Sequence, residues 1–329
     1  MRFCRKWLLT VGLGAGALGF VYARCVEPQR VGLDRYVIPI AKPGLPAEGL
    51  TILHLSDLHW RAGGAVQAAK LARLRRLLAG ESFDLLLLTG DLIHDNAGLP
   101  AALAFIETLH PRLAAFSCPG NRDYWQSGFR ALLTPPEDAG ARLTVRLPRV
   151  AARLTTFARQ ARANERWSLH VAPNNTAALH AGLIALGVQP LVNASARVPG
   201  SGVDLWIAGV DDLTQGQPDL PAALEGVPPG ALVIVLAHNP DAWLDPAITR
   251  ADLVLAGHTH GGQFRVPLIG ALHTQGTYLS RQRPAGWFER GRSRMFVSRG
   301  LGESFPLRFG APPQAALIRL VPDRIQDAV

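Results

Sequence analysis

Five apolar stretches of this chain each end in a short turn that carries aspartate, histidine or asparagine. The turns contain Asp57-Leu58-His59, Gly90-Asp91, Gly120-Asn121-Arg122-Asp123, His238-Asn239-Pro240 and Gly257-His258-Thr259-His260. The apolar stretches have the length and the continuous hydrophobicity of strands that are buried on both faces. In open α/β sheets, ligands bind at the carboxyl ends of the strands. The pattern therefore predicts an α/β fold in which five turns converge on one pocket.

The order of the predicted elements supports a parallel sheet. Apolar runs at 50–55, 84–88 and 113–116 alternate with helical patterns at 65–79 and 99–110. Alternation of this kind implies right-handed crossovers and a parallel core. Further strand-like runs follow at 205–210, 232–237, 253–256, 295–298 and 316–320. With 329 residues, the chain is long enough for one large domain with an additional segment or two.

Composition along the chain indicates where the main domain begins and ends. Residues 26–49 are rich in proline and glycine and are expected to form a linker or an edge strand. The domain is then predicted over 50–322, followed by a short tail at 323–329. Within it, residues 126–170 are rich in arginine, leucine and alanine and show no clear strand pattern. We interpret this segment as a helical insertion that forms a cap.

Residues 1–25 have the character of a membrane anchor or an export signal. Arg2, Arg5 and Lys6 precede an uncharged stretch from residue 7 to residue 23. At about 1.5 Å per residue a helix of this length spans roughly 25 Å, which is marginal for a bilayer. A retained inner-membrane anchor is favoured, with the catalytic domain on the cytoplasmic face. A cleaved signal leading to export into the periplasm and a short interfacial helix stay open, since Val21-Tyr22-Ala23 resembles a cleavage site.

The net charge of +9 comes almost wholly from arginine. Arginine matches the geometry of phosphate, so this excess suits an anionic substrate or an anionic membrane surface. A preference for arginine codons explains the same excess equally well. The chain has no sequence pattern of a nucleic-acid-binding module, and no nucleic-acid partner is expected. Its three cysteines indicate neither a disulfide framework nor a zinc site.

The side chains in the five turns are those of a metal centre. Carboxylates, imidazoles and one amide oxygen suit Mn²⁺, Fe²⁺ or Zn²⁺, and a set this large suits two ions. Each turn alone is weak evidence, because an aspartate can cap a helix and a lone histidine is usually part of the core. All five in this order predict metal ligands at Asp57, His59, Asp91, Asn121, His238, His258 and His260.

The five turns together resemble the motifs of the calcineurin-like metallophosphoesterase family. The resemblance covers residues 50–322 apart from the insertion, and it implies a four-layer α/β/β/α sandwich that binds two divalent ions, with Mn²⁺ expected. It further implies that one ion is held by Asp57, His59, Asp91 and His260, and the other by Asp91, Asn121, His238 and His258. The catalytic residues implied are Asp91, Asn121, Arg122, Asp123 and His238.

Three C-terminal segments are similar to one branch of this family, the YkuE-type phosphoesterases. They are His238-Asn239-Pro240-Asp241, the run from His258 to Gln263, and Ser298-Arg299-Gly300-Leu301-Gly302 followed by Pro306-Leu307-Arg308-Phe309.

Arg122 is a departure from the usual family motif, which has histidine after the asparagine. An arginine cannot act as a general acid at neutral pH, but it can brace a phosphate. A pyrophosphate bond suits such a site, because its leaving group is less basic than an alkoxide. The variant resembles UDP-2,3-diacylglucosamine hydrolases of lipid A synthesis, in which a helical insertion receives acyl chains. The expected substrate is therefore this UDP-linked glycolipid, cleaved to UMP and a lipid monophosphate, with Tyr124 and Trp125 lining its path.

Three other functions stay open at this point. The first is a broad-specificity phosphodiesterase or phosphatase, which an exported enzyme would favour because it would not meet a cytosolic UDP substrate. The second is a non-catalytic scaffold, which the complete set of predicted ligands disfavours. The third is a nuclease of the same fold, which predicts an open basic groove without a cap. The sequence does not predict the oligomeric state.

Overall fold

A computed structural model describes residues 16–61, 65–128, 133, 142–166 and 169–323. The α-helices span Ala65–Leu78, Leu99–Ile106, Asn121–Tyr124, Leu143–Ala163, Thr176–Ala185 and Leu220–Ala223. In chain order the strands are β1 Gly32–Ile40, β2 Leu50–Leu55, β3 Leu85–Thr89, β4 Ala114–Cys118, β5 Trp125–Ser127, β6 His170–Pro173, β7 Val188–Pro190, β8 Ala194–Arg197, β9 Leu205–Gly209, β10 Leu232–Leu236, β11 Leu253–Ala256, β12 Arg265–Val266, β13 Gly270–Ala271, β14 Gly286–Arg290, β15 Ser293–Val297 and β16 Gln314–Pro322.

Two large sheets form the centre of the described part of the chain. The first has the strand order β1-β16-β2-β3-β4-β7, and the second has the order β14-β15-β11-β10-β9-β8. The strands that precede the five predicted turns are β2, β3 and β4 in the first sheet and β10 and β11 in the second. Neighbouring strands within each of these sets are parallel. Their carboxyl ends therefore lie along one edge of each sheet.

The packing of the two faces of β3 shows why the sheets stack. Leu86 and Leu88 point into a core shared with the helices Ala65–Leu78, Leu99–Ile106 and Thr176–Ala185. Leu85 and Leu87 point the other way, into a second core between the two sheets. All four leucines are fully buried. Side chains alternate along a strand, so an uninterrupted leucine run fits only a strand covered on both sides.

The second sheet is covered in the same manner on its outer face. A third core joins Val233 and Val235 of β10 to Leu220, Trp243 and Ile248 from the short helical segments outside the sheet. The order of layers is thus helices, sheet, sheet, helices. The four-layer α/β/β/α sandwich expected from the sequence is confirmed.

Several short or polar strands were not recognised in the sequence. β7, β8 and β14 lie at the outer edges of the sheets and have no continuous apolar run. Gly32–Ile40, where a linker and an edge strand were both open, forms the edge strand β1 parallel to β16. Central strands were recognisable because burial on both faces demands an apolar run, whereas edge strands have no such requirement.

A short two-stranded ribbon connects the segment at 126–170 to the two large sheets. β5 and β6 pair antiparallel, and the helix Leu143–Ala163, here called the cap helix, lies between them in the chain. Just beyond its end, Asn164 Nδ2 donates to Thr274 Oγ1 at 2.7 Å and Arg166 Nη2 bonds to Asp241 Oδ2 at 2.7 Å. Residues 129–132, 134–141 and 167–168 of the predicted insertion lie outside the described residues.

The predicted N-terminal anchor lies largely outside the described residues, because the description begins at residue 16. From there, residues 16–21 are helical and continue into the turn Tyr22–Val26. Ala23 O accepts a hydrogen bond from Arg308 N at 2.9 Å, and the ring of Tyr22 packs edge-on against Phe309. No helix within residues 16–323, as far as they are described, is both long and apolar enough to cross a bilayer.

Candidate metal centre

All seven predicted metal ligands meet where the carboxyl ends of the two sheets adjoin. Asp57 and His59 follow β2, Asp91 follows β3, and Asn121 follows β4. In the second sheet, His238 follows β10, and His258 and His260 follow β11. Six of the seven side chains are buried; Asn121 is partly exposed.

Asp57, His59 and His260 form the first of two groups that can hold an ion. The Nε2 atoms of His59 and His260 are 3.1 Å apart. Asp57 Oδ1 lies 3.9 Å from His59 Nε2 and 3.5 Å from His260 Nε2. Asp91 joins this group through Oδ2, which is 3.3 Å from His59 Nε2. Two carboxylates and two imidazoles thus point at one place.

The second group consists of Asp57, Asp91 and His238, with Asn121 and His258 beside it. Asp91 Oδ1 is 3.4 Å from His238 Nε2. His258 Nδ1 is 3.2 Å from His238 Nε2 and 3.0 Å from Asn121 Oδ1. The two oxygens of Asp91 therefore face different groups of ligands, as expected for a carboxylate shared by two ions.

Five of these residues have a left-handed backbone. The φ angles are 52° for Asp57, 47° for His59, 52° for Asp91, 68° for His258 and 52° for His260. Such a conformation costs a residue with a side chain about 1–3 kcal/mol, and strained residues of this kind cluster at functional sites. In an extended strand, Asp57 and His59 would share one face but lie about 7 Å apart. The sharp turn brings both side chains into one group of ligands.

Neighbouring groups fix the orientation of the ligands. His238 Nδ1–H donates to the carbonyl oxygen of Thr89 at 2.7 Å, which leaves the lone pair of Nε2 facing Asp91. Asp57 Oδ2 accepts from the Ser56 hydroxyl at 2.7 Å and from His258 N at 3.1 Å. Hydrogen bonds of this type hold metal ligands in place and select the tautomer of a histidine.

The electrostatics of the site favour a cation. Burial lowers the pKa of His59 and of His260 well below the usual value, and it lowers the pKa of His258 to about 3. These three histidines are therefore neutral at pH 7, as metal ligands must be. Burial also opposes the charged form of His238, but the Asp91 carboxylate outweighs it and raises the pKa of His238. Positive charge is thus stabilised beside Asp91.

The residues present fit divalent metal ions. Buried nitrogen atoms His59 Nδ1, His258 Nε2 and His260 Nδ1 have no hydrogen-bond partner among the described residues. Two buried Nε2 atoms in direct contact repel each other unless a proton or a cation lies between them. The mixture of carboxylate, imidazole and amide ligands suits Mn²⁺, Fe²⁺ or Zn²⁺.

Asp123, predicted as catalytic, lies beneath the cluster. Its carboxylate accepts hydrogen bonds from the backbone N–H groups of Asp91, Leu92, Ile93 and Gly120, at 2.8–3.2 Å. It therefore ties the turn after β3 to the turn after β4. Burial raises the pKa of Asp123 to about 7.

Arg122 lies at the cluster, and its side chain is hydrogen-bonded to none of the described residues. Its backbone N–H donates to Asp91 Oδ1 at 2.7 Å. Its guanidinium group makes no hydrogen bond or ion pair with any described residue, although burial lowers its pKa and its charge acts on Asp91 and His258. The five donors of this group are available to an anion.

Tyr124 and Trp125, predicted to contact substrate, lead from the cluster towards the cap. The Tyr124 hydroxyl donates to Asp211 Oδ1 at 2.5 Å. The indole of Trp125 stacks on His170, with ring centroids 4.7 Å apart and planes at 10°. The first contact ties Tyr124 to the turn after β9, and the second joins β5 to β6 within the ribbon that carries the cap helix.

The loop 299–311 supplies a residue that the sequence analysis missed. The Ser304 hydroxyl lies 3.0 Å from His260 Nε2. Arg308, which is fully buried, braces the loop through hydrogen bonds to the carbonyl oxygens of Arg299, Gly300 and Ala311. The similarity of 298–302 and 306–309 to one family branch marked this loop, but Ser304 lies in the gap between the two motifs.

A second missed contact links this loop to the turn after β3. Arg61 Nη2 donates to the carbonyl oxygen of Ser304 at 3.0 Å and lies 3.2 Å from His94 Nδ1. The ring of His94 is 5.8 Å from that of His59. Burial lowers the pKa of His94 to about 3, so this ring is neutral at pH 7. Neither residue belongs to a predicted motif.

Comparison with known proteins identifies relatives along almost the whole chain. The sequence profile of the calcineurin-like phosphoesterase family matches residues 50–262. A Bacillus subtilis metallophosphoesterase, YkuE, is 27% identical, covering 94% of this chain and 93% of its own length. The Chlamydia muridarum UDP-2,3-diacylglucosamine pyrophosphatase LpxG is 28% identical, with 94% and 95% covered. The Escherichia coli phosphodiesterase YaeI is 26% identical, with 97% and 98% covered.

Proposed function

Because the chain belongs to the calcineurin-like phosphoesterase family, we propose that it hydrolyses the pyrophosphate bond of UDP-2,3-diacylglucosamine. Water adds to one phosphorus atom and the bridging P–O bond breaks. The products are UMP and 2,3-diacylglucosamine 1-phosphate. Family membership makes the chain a metal-dependent phosphoester hydrolase, and the choice of substrate is the part that we propose.

The position of Arg122 is the main observation that supports a pyrophosphate substrate. Its guanidinium group is stabilised electrostatically by Asp91, but it makes no hydrogen bond or ion pair with any described residue. A permanently charged group cannot give a proton to a leaving group, but it can bind two phosphate oxygens at once. Cleavage of a pyrophosphate releases a phosphate monoester, which leaves without being protonated first. The site is therefore better suited to a pyrophosphate than to an alkyl phosphoester.

The relatives point to the same substrate. Two chlamydial proteins named UDP-2,3-diacylglucosamine pyrophosphatase are each 28% identical over 94% of this chain. The alignments also cover 95% of the length of each chlamydial protein. At this level of identity the relatives support a substrate class, and the geometry at Arg122 supports it independently.

Two divalent ions would be held by the seven side chains of the cluster, and we expect Mn²⁺, with Fe²⁺ or Zn²⁺ also compatible. When bound, such ions lower the pKa of water and neutralise the charge on phosphoryl oxygens. We propose Asp91 as the ligand shared by both ions. Asn121 and His238 are proposed to orient the phosphate that reacts, and Arg122 to hold its neighbour.

Asp123 is proposed as a positioning residue. Its carboxylate accepts four backbone hydrogen bonds and holds the turns that carry Asp91 and Asn121. Tyr124 and Trp125 are proposed to contact the sugar or the lipid, because they lie between the cluster and the cap. The membrane surface is the proposed meeting place of enzyme and substrate. The N-terminal segment would keep the catalytic domain on the cytoplasmic face of the inner membrane.

A second candidate is a phosphodiesterase of broad specificity. The Escherichia coli relative that bears the name phosphodiesterase is almost as similar to this chain as the chlamydial proteins are. An exported form of the protein would favour this candidate, since it would not meet a UDP-linked substrate made in the cytoplasm.

Release of UMP tests the proposal directly. The purified full chain, loaded with Mn²⁺, is incubated with UDP-2,3-diacylglucosamine and, separately, with bis(4-nitrophenyl) phosphate. We expect UMP from the first substrate at a rate that Asp91→Ala abolishes. Turnover of the nitrophenyl ester without any release of UMP would reject the glycolipid and leave the second candidate.

A further inference from the structure

An apolar pocket lies directly beside the metal cluster, on the side of the hairpin β12–β13. It has a volume of about 340 Å³ and is lined by the apolar side chains of Phe264, Leu272, Phe305, Pro306 and Leu307, together with Gly262 and the polar residues Gln263, His273 and Gln275. This volume lies within the range of about 300–1,000 Å³ that is typical of small-molecule sites. We call it the hairpin pocket.

The pocket and the cluster share their supporting backbone. Gly262 follows the ligand His260 by two residues, and Phe305 follows Ser304, whose hydroxyl contacts His260. Gln263 Nε2 donates to the carbonyl oxygens of Phe305 and Leu307, at 2.8 Å each. These bonds fix the two walls against each other. The pocket is therefore preformed, and its walls are continuous in the chain with His260 and Ser304.

The lining of the pocket favours an apolar ligand. Its side chains are mostly apolar, and burial lowers the pKa of His273 to about 4, so that this neighbouring group is neutral at pH 7. A phosphate, sugar or base would lose its hydration there without gaining an ion pair. A hydrocarbon chain gives up no hydrogen bonds with water there, and burial of its surface stabilises the complex.

Exposed apolar residues and the cap segment lie on either side of the pocket. The tip of the same hairpin carries Leu268, which is completely exposed, and Ile269, which is 56% exposed. On the other side, Thr274 and the neighbouring His273 receive the end of the cap segment through Asn164 and Glu165. An apolar rim at the hairpin and a cap at the opposite wall suit a ligand that is drawn from a lipid surface.

We propose that the hairpin pocket binds one acyl chain of the substrate while its phosphates lie at the metal cluster. This inference rests on the proposed function in one respect, that the substrate is acylated. The acyl chain is assigned to the wall formed by residues 262–275 and 305–307. This wall lies outside the inserted segment at 126–170.

Two substrates that differ in the length of their alkyl group test whether the pocket binds a hydrocarbon chain. 4-Nitrophenyl methyl phosphate and 4-nitrophenyl decyl phosphate present the same reacting bond, and only the second offers a hydrocarbon chain. We expect kcat/KM to be at least tenfold higher for the decyl ester. Leu272→Asp, at a half-exposed position on the rim, should lower the value for the decyl ester to that for the methyl ester. Leu272→Met should preserve the difference.

Ile184→Asp is the matched control, because Ile184 is 63% exposed on the helix Thr176–Ala185, which packs against the far face of the first sheet. It should leave the difference between the two esters intact. Equal rates for both esters in the unaltered protein would overturn the proposal. So would a Leu272→Asp variant that still prefers the decyl ester.

Direct binding separates this proposal from the proposed function. Decyl maltoside below its micelle concentration is uncharged and has no affinity for a metal centre. Calorimetric titration of the unaltered protein and of Leu272→Asp isolates the pocket, because the N-terminal segment and the exposed hairpin tip are the same in both. We expect Leu272→Asp to weaken this binding at least tenfold. If that result is found in a protein that does not cleave UDP-2,3-diacylglucosamine, the pocket stands and the glycolipid is the wrong substrate. Unchanged binding would reject the pocket whatever the substrate is.

Discussion

The Nε2 atoms of His59 and His260 lie 3.1 Å apart, although 201 residues separate them in the chain. Each ring is buried, and each has its other nitrogen, Nδ1, without a partner in the described part of the chain. Burial lowers the pKa of both rings, so neither carries a proton charge at neutral pH. Two neutral rings that meet at these buried nitrogens, next to Asp57, leave a place that suits a cation.

The first prediction is that His260→Ala removes one of two bound ions. The Asp57, His59 and His260 group loses one of its two imidazoles, whereas the ligands around Asp91 and His238 stay in place. Metal analysis of the Mn²⁺-loaded protein should give about two ions per chain for the unaltered form and about one for the variant. Two ions in the variant would contradict the assignment of His260.

Arg122 gives the second prediction. Its guanidinium group makes no hydrogen bond or ion pair with any described residue, so its removal should cost little stability. Loss of a single donor group that stabilises charge in a transition state typically costs about 10²–10³-fold in rate. Arg122→Ala should lose activity on this scale at unchanged melting temperature, and Arg122→Lys should recover part of it. A normal rate in Arg122→Ala would remove the proposed phosphate contact.

Asp123 gives the third prediction. Asp123→Asn keeps the shape of the side chain but replaces one acceptor oxygen by a donor, which then faces backbone N–H groups. A buried N–H group that loses its acceptor costs about 1–3 kcal/mol in the free energy of unfolding, whichever protonation state the carboxyl group has. We expect a loss of this size, together with weaker Mn²⁺ binding, in urea unfolding and metal titration. Full stability with lost activity would instead favour a direct catalytic role.

The sequence predicted the central strands and the seven converging side chains, and the reason is physical. A strand buried on both faces must be apolar throughout, so β3 with its run of leucines was recognisable. A turn that reverses sharply after such a strand must carry its functional groups within a few residues, as Asp57 and His59 do. Both constraints act locally and leave a local pattern.

What the sequence did not reveal depends on contacts between distant segments. No local sequence pattern marks Ser304, because only the loop braced by Arg308 places it beside His260. The partners of Asp123 are backbone groups, which no side-chain pattern reports. The hairpin pocket joins 262–275 with 305–307, and neither segment alone has the pattern of a binding site.

His54 provides the fourth prediction, which concerns pH. It lies buried in β2, its Nε2 contacts Thr89 Oγ1 at 2.8 Å, and burial lowers its pKa to about 3. The unfolded chain binds a proton near pH 6.5 and the folded chain does not, so stability is complete above pH 6.5 and falls below it. Between pH 7 and pH 5 this group should cost about 2 kcal/mol.

The effect of His54 is isolated by comparison with His54→Leu. Asp57 and Asp123, whose pKa values burial raises, act in the opposite direction, and the comparison cancels their contribution because both proteins contain them. Urea unfolding of the metal-free proteins at pH 7 and pH 5 should show that the variant loses about 2 kcal/mol less than the unaltered protein. Equal losses would mean that His54 is accessible to protons in the folded state.

Gly257 gives the fifth prediction. A Cβ atom at this position would lie 1.9 Å from Ser56 Oγ and 2.3 Å from Asp57 Oδ2, well inside any real contact. Ser56 is buried and holds Asp57 by a hydrogen bond, so neither side chain can give way without moving a predicted ligand. Gly257→Ala should therefore weaken Mn²⁺ binding and activity together. Gly230→Ala, where a Cβ meets nothing within 4 Å, is the matched control and should change neither. Normal Mn²⁺ affinity in Gly257→Ala would show that Asp57 can move without consequence, and it could not then be a ligand held in a fixed position.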